Sequence, residues 1–273
     1  MSAKEIKNIE LDLFLEAIFR RYGYDFRNYA RASLRRRVAE TLNRAGIDSA
    51  AEAIPRLLQD DSLCNDFLRD MSVTVTDMFR DPWFYVAFSK KVIAHLRTYP
   101  LVKIWHAGCA TGEEVYSMAI LLKEEGLYDK AQIYATDYNN ESLDRAREGV
   151  YPLKQVNQYM QNYNRTGAKA SFSDYYHAKY GAARFADALR ERITFANHNL
   201  VSDGVFSEVN VVICRNVLIY FDKHLKNRVL SLFRDSLCHR GFLCLGSKES
   251  LKFSCVTEEF ETVSAKERIF RKR

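Results

Sequence analysis

Apolar positions over the first 75 residues recur at helical spacing, whereas beyond residue 100 short apolar runs of strand length alternate with helical stretches. Ile9, Leu13, Phe14, Ala17, Ile18 and Phe19 give a first helix its apolar face. A second is predicted over 29–45, with Leu34, Val38, Leu42 and Ala45 on the inner stripe. Gly46 ends it, and Asp48 or Ser49 can cap a third helix carrying Ala53, Ile54, Leu57 and Leu58, with Pro55 in its first turn. The pattern thus predicts a helical domain over 1–75. A linker over 76–99 follows, in which Asp81 caps a helix opened by Pro82.

Residues 102–107 read as a buried strand, and Gly108 and Gly112 then bracket a tight loop. Val115, Met118, Ala119 and Leu122 continue as a helix. A second strand over 132–136 ends at Asp137, and 140–149 is a helix with an Asn cap and a closing Gly. Residues 150–192 break this rhythm. They are rich in Tyr and predict an inserted small β-subdomain of turns and short strands, whose tyrosines either supply core or stack nucleic-acid bases. Strands are expected over 193–196, 209–214 and 242–245, with a helix over 223–237, a turn at 239–241 and two closing strands. The whole of 100–273 therefore predicts an α/β domain.

Strand, glycine loop and helix open a nucleotide-binding α/β unit, and an acid at the tip of the second strand is where such folds hold a ribose. The loop is G-x-x-x-G, not the G-x-G-x-x-G that cradles a pyrophosphate, and Glu113 and Glu114 stand at the helix start. Two carboxylates repel a phosphate and suit a ligand carrying an ammonium and a sulfonium, S-adenosylmethionine. The plainer reading of the Glu pair is that both favour the positive end of the helix dipole. Asp137 tips the balance towards the cofactor.

Composition narrows the rest. A chain of 273 residues, 47% hydrophobic and 28% charged, has ample core for one large or two modest domains. The apolar run 211–221 is broken by Arg215 and Asn216, so no membrane span is expected, and the first 19 residues do not form a secretory signal. Six cysteines lack C-x-x-C pairs or histidines at zinc spacing, which predicts reduced thiols, no metal and a cytoplasmic protein. Net charge is +6. Six arginines fall between 27 and 44 against one acid, Glu40, which reads either as a solvated helix face or as a docking face for an acidic surface.

The ordered motifs resemble the CheR-type methyltransferases of bacterial chemotaxis receptors. The likeness rests on the arginine-rich helix, TVTDMFRDP, HAGCATGEEVYSMAI, ATDYN, GVYPL, NHNL, VVICRNVLIYF and GSKESL, and it covers nearly the whole chain. It implies a class I S-adenosylmethionine-dependent methyltransferase with a Rossmann-like seven-stranded sheet, an N-terminal all-helical domain and an inserted antiparallel β-subdomain. It further implies that Thr74, Thr76 and Arg80 touch the cofactor, Arg80 on its carboxylate. Glu113 or Glu114 would face the amino group, Asp137 the ribose, Asn199 and Leu200 the adenine, and Arg215 and Asn216 the methionine end. The implied product is S-adenosylhomocysteine. Three positions depart from the family pattern: Val115 replaces a proline, Ser247-Lys248 replace His-Ser, and the insertion lacks a clear Gly-aromatic-Gly loop.

The implied reaction is formation of a methyl ester on receptor glutamates. A glutamate with a reference pKa of about 4.3 is already an anion at neutral pH, so no catalytic nucleophile, metal or base is needed. Arg31, Arg35, Arg36 and Arg37 are the expected contacts to the cytoplasmic domain of a chemoreceptor, an acidic helical bundle, and a monomer is expected. Rival readings are a methyltransferase acting on nucleic acid or on another protein, and a cofactor-bound module without activity. Amine-directed nucleic-acid enzymes carry an Asn/Asp-Pro-Pro-Tyr loop where this chain has CRNVLIYF, and Cys214 lies within an apolar strand.

Overall fold

The computed structural model describes residues 3–71 and 76–273. The chain divides into two compact units, one of residues 1–73 with 219–228, the other of 74–218 with 229–273. Residues 76–99, expected as a linker, thus belong to the second unit, and the stretch 219–228 from the C-terminal half of the chain joins the first.

In the first unit α1 (Ala3–Tyr22) packs chiefly on α3 (Ala50–Gln59), and α2 (Arg31–Ala45) on α4 (Asp61–Met71). Leu11, Phe14, Leu15 and Ile18 of α1 are buried with Leu34, Val38, Leu57, Leu63 and Phe67. Ile9 and Leu13, expected on the core face, are exposed, because α1 is rotated to present 11, 14, 15 and 18 inward. Gly46 ends α2 with a left-handed φ of 67°, and the Ser49 hydroxyl accepts the Glu52 amide at the start of α3. That start places Pro55 in the second turn of α3 rather than the first.

The second unit begins with α5 (Pro82–Phe88), a π-helical turn (Ser89–Ile93) and α6 (Ala94–Leu96). There follow β1 (Val102–Ala107), α7 (Glu113–Glu124), β2 (Ala131–Asp137) and α8 (Asn140–Glu148). The insertion contributes β3 (Val150–Pro152), α9 (Leu153–Asn164), β4 (Tyr176–Lys179) and β5 (Ala182–Phe185). Then come β6 (Ile193–Asn197), β7 (Val209–Cys214), α10 (Lys223–Ser236, of which 223–228 fall in the first unit), β8 (Leu237–Leu245), β9 (Phe260–Ser264) and β10 (Ile269–Lys272).

Seven strands form one sheet in the order β6-β2-β1-β7-β8-β10-β9, parallel through β8 and antiparallel beyond it. Chain order reverses between β1 and β7, and open α/β sheets bind ligands at such a switch point, beyond the strands' carboxyl ends. The expected turn at 239–241 lies inside β8, where Arg240 takes a left-handed φ and the pairing with β7 shifts register.

The insertion forms a three-stranded antiparallel sheet, β3-β5-β4, as expected. It also contains a twelve-residue helix, α9, that its tyrosine-rich sequence concealed. Tyr151, Tyr159, Tyr163 and Tyr175 are buried, so these tyrosines supply core. Residues 115–122 of α7 are buried all round, because one side of this helix faces the sheet and Tyr116 packs edge-on against Tyr151 and at a tilt against Phe185 of the insertion.

Candidate functional site

At the end of β1 the chain turns through Gly108, Ala110 and Gly112, all with left-handed φ. A Cβ on Gly108 would stand 2.7 Å from Val217 Cγ2, and one on Gly112 2.9 Å from Ala146 Cβ, so neither position has room for a side chain. The Ala110 amide donates to Asp137 Oδ2 at 2.9 Å and the Asn139 amide to Oδ1 at 3.0 Å. The β2 tip thereby holds the glycine loop. Burial pushes the Asp137 carboxyl up, against the pull of the amides of Asn139, Ala110 and Tyr138. An ionised carboxylate offers about four acceptor positions, so these three amides still leave room for a ligand hydroxyl.

The two glutamates opening α7 have opposite fates. Glu114 Oε2 accepts from Arg215 Nη1 at 2.6 Å, and its Oε1 lies 3.4 Å from Nδ1 of the buried His106. Burial alone would raise the Glu114 carboxyl, but the Arg215 charge and the His106 contact hold it below the usual range. Glu113 has no cationic partner among the described contacts. The Thr111 hydroxyl donates to its Oε2 at 2.7 Å and the Tyr159 hydroxyl reaches Oε1 at 3.5 Å. Burial pushes Glu113 up to about 7, only partly offset by those hydroxyls and its own amide. Of the two, only Glu114 has a cationic partner among the described contacts.

Arg215, at the tip of β7, is buried, and its second nitrogen, Nη2, donates to Asp81 Oδ2 at 2.6 Å. Both terminal nitrogens donate to the Arg80 carbonyl at 3.3 Å, and the guanidinium lies 4.3 Å over the Phe84 ring. Its fork therefore grips protein, not open space. Asp81 carries no cap to α5, because its carboxylate goes to Arg215 instead. Asn216 takes a left-handed φ of 63°, tolerated by Asn, and donates its amide to Glu249 Oε2 at 3.2 Å.

Thr76 and Arg80 are half-buried on the stretch preceding α5, while Thr74 lies outside the described residues. The Asn199 side-chain oxygen accepts the Val201 amide at 3.0 Å in a tight turn after β6, and Leu200 is buried beside it. The structure thus draws Arg80, Asp81, Glu114 and Arg215 into one cluster and ties Asp137 to the glycine loop. His106, Thr111 and Ser117 also serve it; all three lie within the family motifs, but sequence reasoning assigned them no role, and it marked Asp81 only as a helix cap.

The arginine helix belongs to the first unit. Arg31 pairs with Asp12 and Arg35 donates to Asn8 Oδ1 at 2.6 Å, both partners on α1, while Arg36 lies 3.7 Å from Glu40. Arg37 departs from the expected exposed set. It is half-buried and donates to the Asp70 carbonyl on α4, whose carboxylate also takes Arg44 at 2.6 Å. Acids distant in sequence thus answer part of the charge that α2 lacks locally.

Accepting carboxylates at the α7 start and β2 tip, with an arginine on the stretch before α5, fit a ligand with a ribose, an ammonium and a carboxylate. Comparisons agree. Residues 74–269 match the model for the CheR methyltransferase, SAM binding domain, and residues 9–72 that for the CheR methyltransferase, all-alpha domain. The Pseudomonas putida protein Cher3 is 48% identical over the full length of both chains. A chemotaxis protein methyltransferase of Listeria innocua is 28% identical over 90% of this chain and 92% of its own. Chemotaxis protein methyltransferase 2 of Pseudomonas aeruginosa is 30% identical over 78% and 76%. The solved magnesium protoporphyrin IX methyltransferase of Synechocystis, with bound SAM, is 15% identical over 70% of this chain and 77% of that one, at a TM-score of 0.37, an overlap too small to weigh on function. With both family domains present in order and a site suited to S-adenosylmethionine, the chain belongs to the CheR methyltransferase family.

Proposed function

We propose that this methyltransferase esterifies glutamate side chains on the cytoplasmic domain of a chemoreceptor, acting as a cytoplasmic monomer. The observation that carries this reading is the row of exposed arginines, Arg31, Arg35 and Arg36, on a unit separate from the cofactor domain. A surface of that kind suits a large acidic substrate rather than a small molecule. Relatives named chemotaxis protein methyltransferase support it.

When bound, S-adenosylmethionine supplies an electrophilic methyl group on a sulfonium. Arg80 would hold its carboxylate, Glu113 its ammonium and Asp137 its ribose hydroxyls, with Asn199 and Leu200 against the adenine. Thr76 would touch the cofactor, as the family pattern also implies for Thr74, and Asn216 would line the methionine end. Arg215 supports that end from behind by fixing Arg80 and Glu114. The substrate glutamate arrives as an anion, so the protein's work is alignment and exclusion of water rather than proton transfer.

Tritium transfer from labelled cofactor to receptor cytoplasmic fragments, followed by mild base, tests the proposal. A carboxyl methyl ester releases volatile methanol. Label that survives base, or that enters nucleic acid instead, overturns it.

A further inference from the structure

The insertion reaches both grips on the cofactor's amino-acid end. From α9, Asn162 Nδ2 donates to the Met78 carbonyl at 3.0 Å, and Gln158 Nε2 donates to Asn162 Oδ1 at 3.0 Å, which orients the amide. Asn162 is buried, so this bond is shielded from water. One residue on, Phe79 has a left-handed φ of 51°, and two further on Asp81 has one of 56°. Neither is a glycine, so the backbone on both sides of Arg80 is strained and needs its surroundings to hold it. The Phe79 amide donates to Ser117 Oγ at 2.9 Å, and its ring is buried 5.1 Å from that of Tyr163, also on α9.

The second grip is reached from β3. The Tyr151 hydroxyl donates to the Thr111 carbonyl at 2.7 Å, and the Thr111 hydroxyl in turn donates to Glu113 Oε2 at 2.7 Å. Two separate contacts thus run from one inserted segment to two loops far apart in sequence.

We propose that the insertion is a working part of the cofactor site, with Asn162 a positioning residue for Arg80 and Tyr151 a positioning residue for Glu113. This rests on the reading of Arg80 and Glu113 as the grips on the cofactor carboxylate and ammonium. Neither Asn162 nor Tyr151 touches the cofactor; each fixes the backbone from which a grip extends. A clamp held in its bound conformation spends less of its binding energy on ordering.

Two ligands separate positioning from mere stability. S-adenosylhomocysteine carries the amino-acid end, and 5′-methylthioadenosine lacks it while keeping adenine and ribose. Calorimetry on Asn162→Leu and Tyr151→Phe should show S-adenosylhomocysteine weakened about fivefold to tenfold, the scale of one buried hydrogen bond, with 5′-methylthioadenosine changed less than twofold. In an Arg80→Ala background, Asn162→Leu should add nothing further. Equal loss on both ligands, full additivity with Arg80→Ala, or no loss in either variant overturns the proposal. Tyr151→Phe keeps the ring and its packing, so the test stands if Asn162→Leu folds poorly. Arg80→Ala measured alone with the same ligands checks the underlying reading. If it leaves S-adenosylhomocysteine unaffected, the carboxylate assignment fails. If it weakens that ligand selectively while the insertion variants do not, the assignment survives and only the positioning role fails.

Discussion

Arg215 Nη1 lies 2.6 Å from Glu114 Oε2, an ion pair joining the tip of β7 to the first turn of α7. Because the same guanidinium holds Asp81 and the Arg80 carbonyl, one buried side chain links the strand tip, the cofactor helix and the stretch before α5. The pair also separates two neighbouring glutamates that sequence alone treats as equivalent.

Glu113→Gln and Glu114→Gln should therefore fail in different ways. Loss of the Glu113 charge removes the proposed partner of the cofactor ammonium, a loss of roughly 1.5–3 kcal/mol, or at least tenfold in S-adenosylhomocysteine affinity, with little change in melting temperature. Glu114→Gln leaves Arg215 buried beside Asp81 alone. Breaking a buried pair costs about 3–5 kcal/mol, and the remaining acid should reduce that to about 2. Calorimetry and thermal melts on both variants check this; the reverse pattern would exchange the two roles.

The same carboxyl predicts a pH dependence. Glu113 titrates near 7 in the folded chain and in the ordinary glutamate range when unfolded, so between about 4.5 and 7 the folded state holds the extra proton. Apo stability contributed by this group is full below that window and is lost as pH rises through it. Cofactor affinity moves the opposite way, because an ammonium favours the carboxylate, and it should fall by up to about tenfold per pH unit below 7. Dissociation constants for wild type and Glu113→Gln from pH 5.5 to 8 should diverge, with the variant flat. Parallel curves would sink the assignment.

Asp137→Ala removes the acceptor of the Ala110 and Asn139 amides together with the proposed ribose contact. A charged hydrogen-bonding partner contributes roughly 1.5–3 kcal/mol, so cofactor affinity should drop at least tenfold. Unchanged affinity by calorimetry would show that the ribose is held elsewhere.

Charge reversal at Arg35 and Arg36 should depress methylation of a receptor fragment while leaving cofactor affinity nearly intact. Both side chains are exposed, and their local partners are Asn8 and Glu40 rather than buried groups. Exposed pairs act mostly on encounter and orientation and weaken as salt rises. Parallel titrations with receptor fragment and with nucleic acid decide the substrate class. Tight nucleic-acid binding that falls steeply with salt and disappears in the variant would favour the rival enzyme.

Residue order alone determined a good deal here. The apolar run of β1, the spacing of Gly108 and Gly112 and the α7 pattern made the strand–loop–helix unit legible, because each depends on local sterics and short-range periodicity. The position of Asp137 followed from the length of β2. Tertiary structure decided what those residues touch. Glu113 and Glu114 share identical local chemistry, and only the arrival of Arg215, 101 positions away, pairs one and leaves the other to burial. Arg37 looked like its neighbours until Asp70, 33 positions on, drew it against α4. Helix α9 was not legible because its tyrosines read as strand formers and its buried stripe, Val156, Tyr159 and Tyr163, includes a polar residue, Asn162. Its bond from Asn162 to Met78 spans 84 positions, a contact set by how the insertion folds back, not by any local preference.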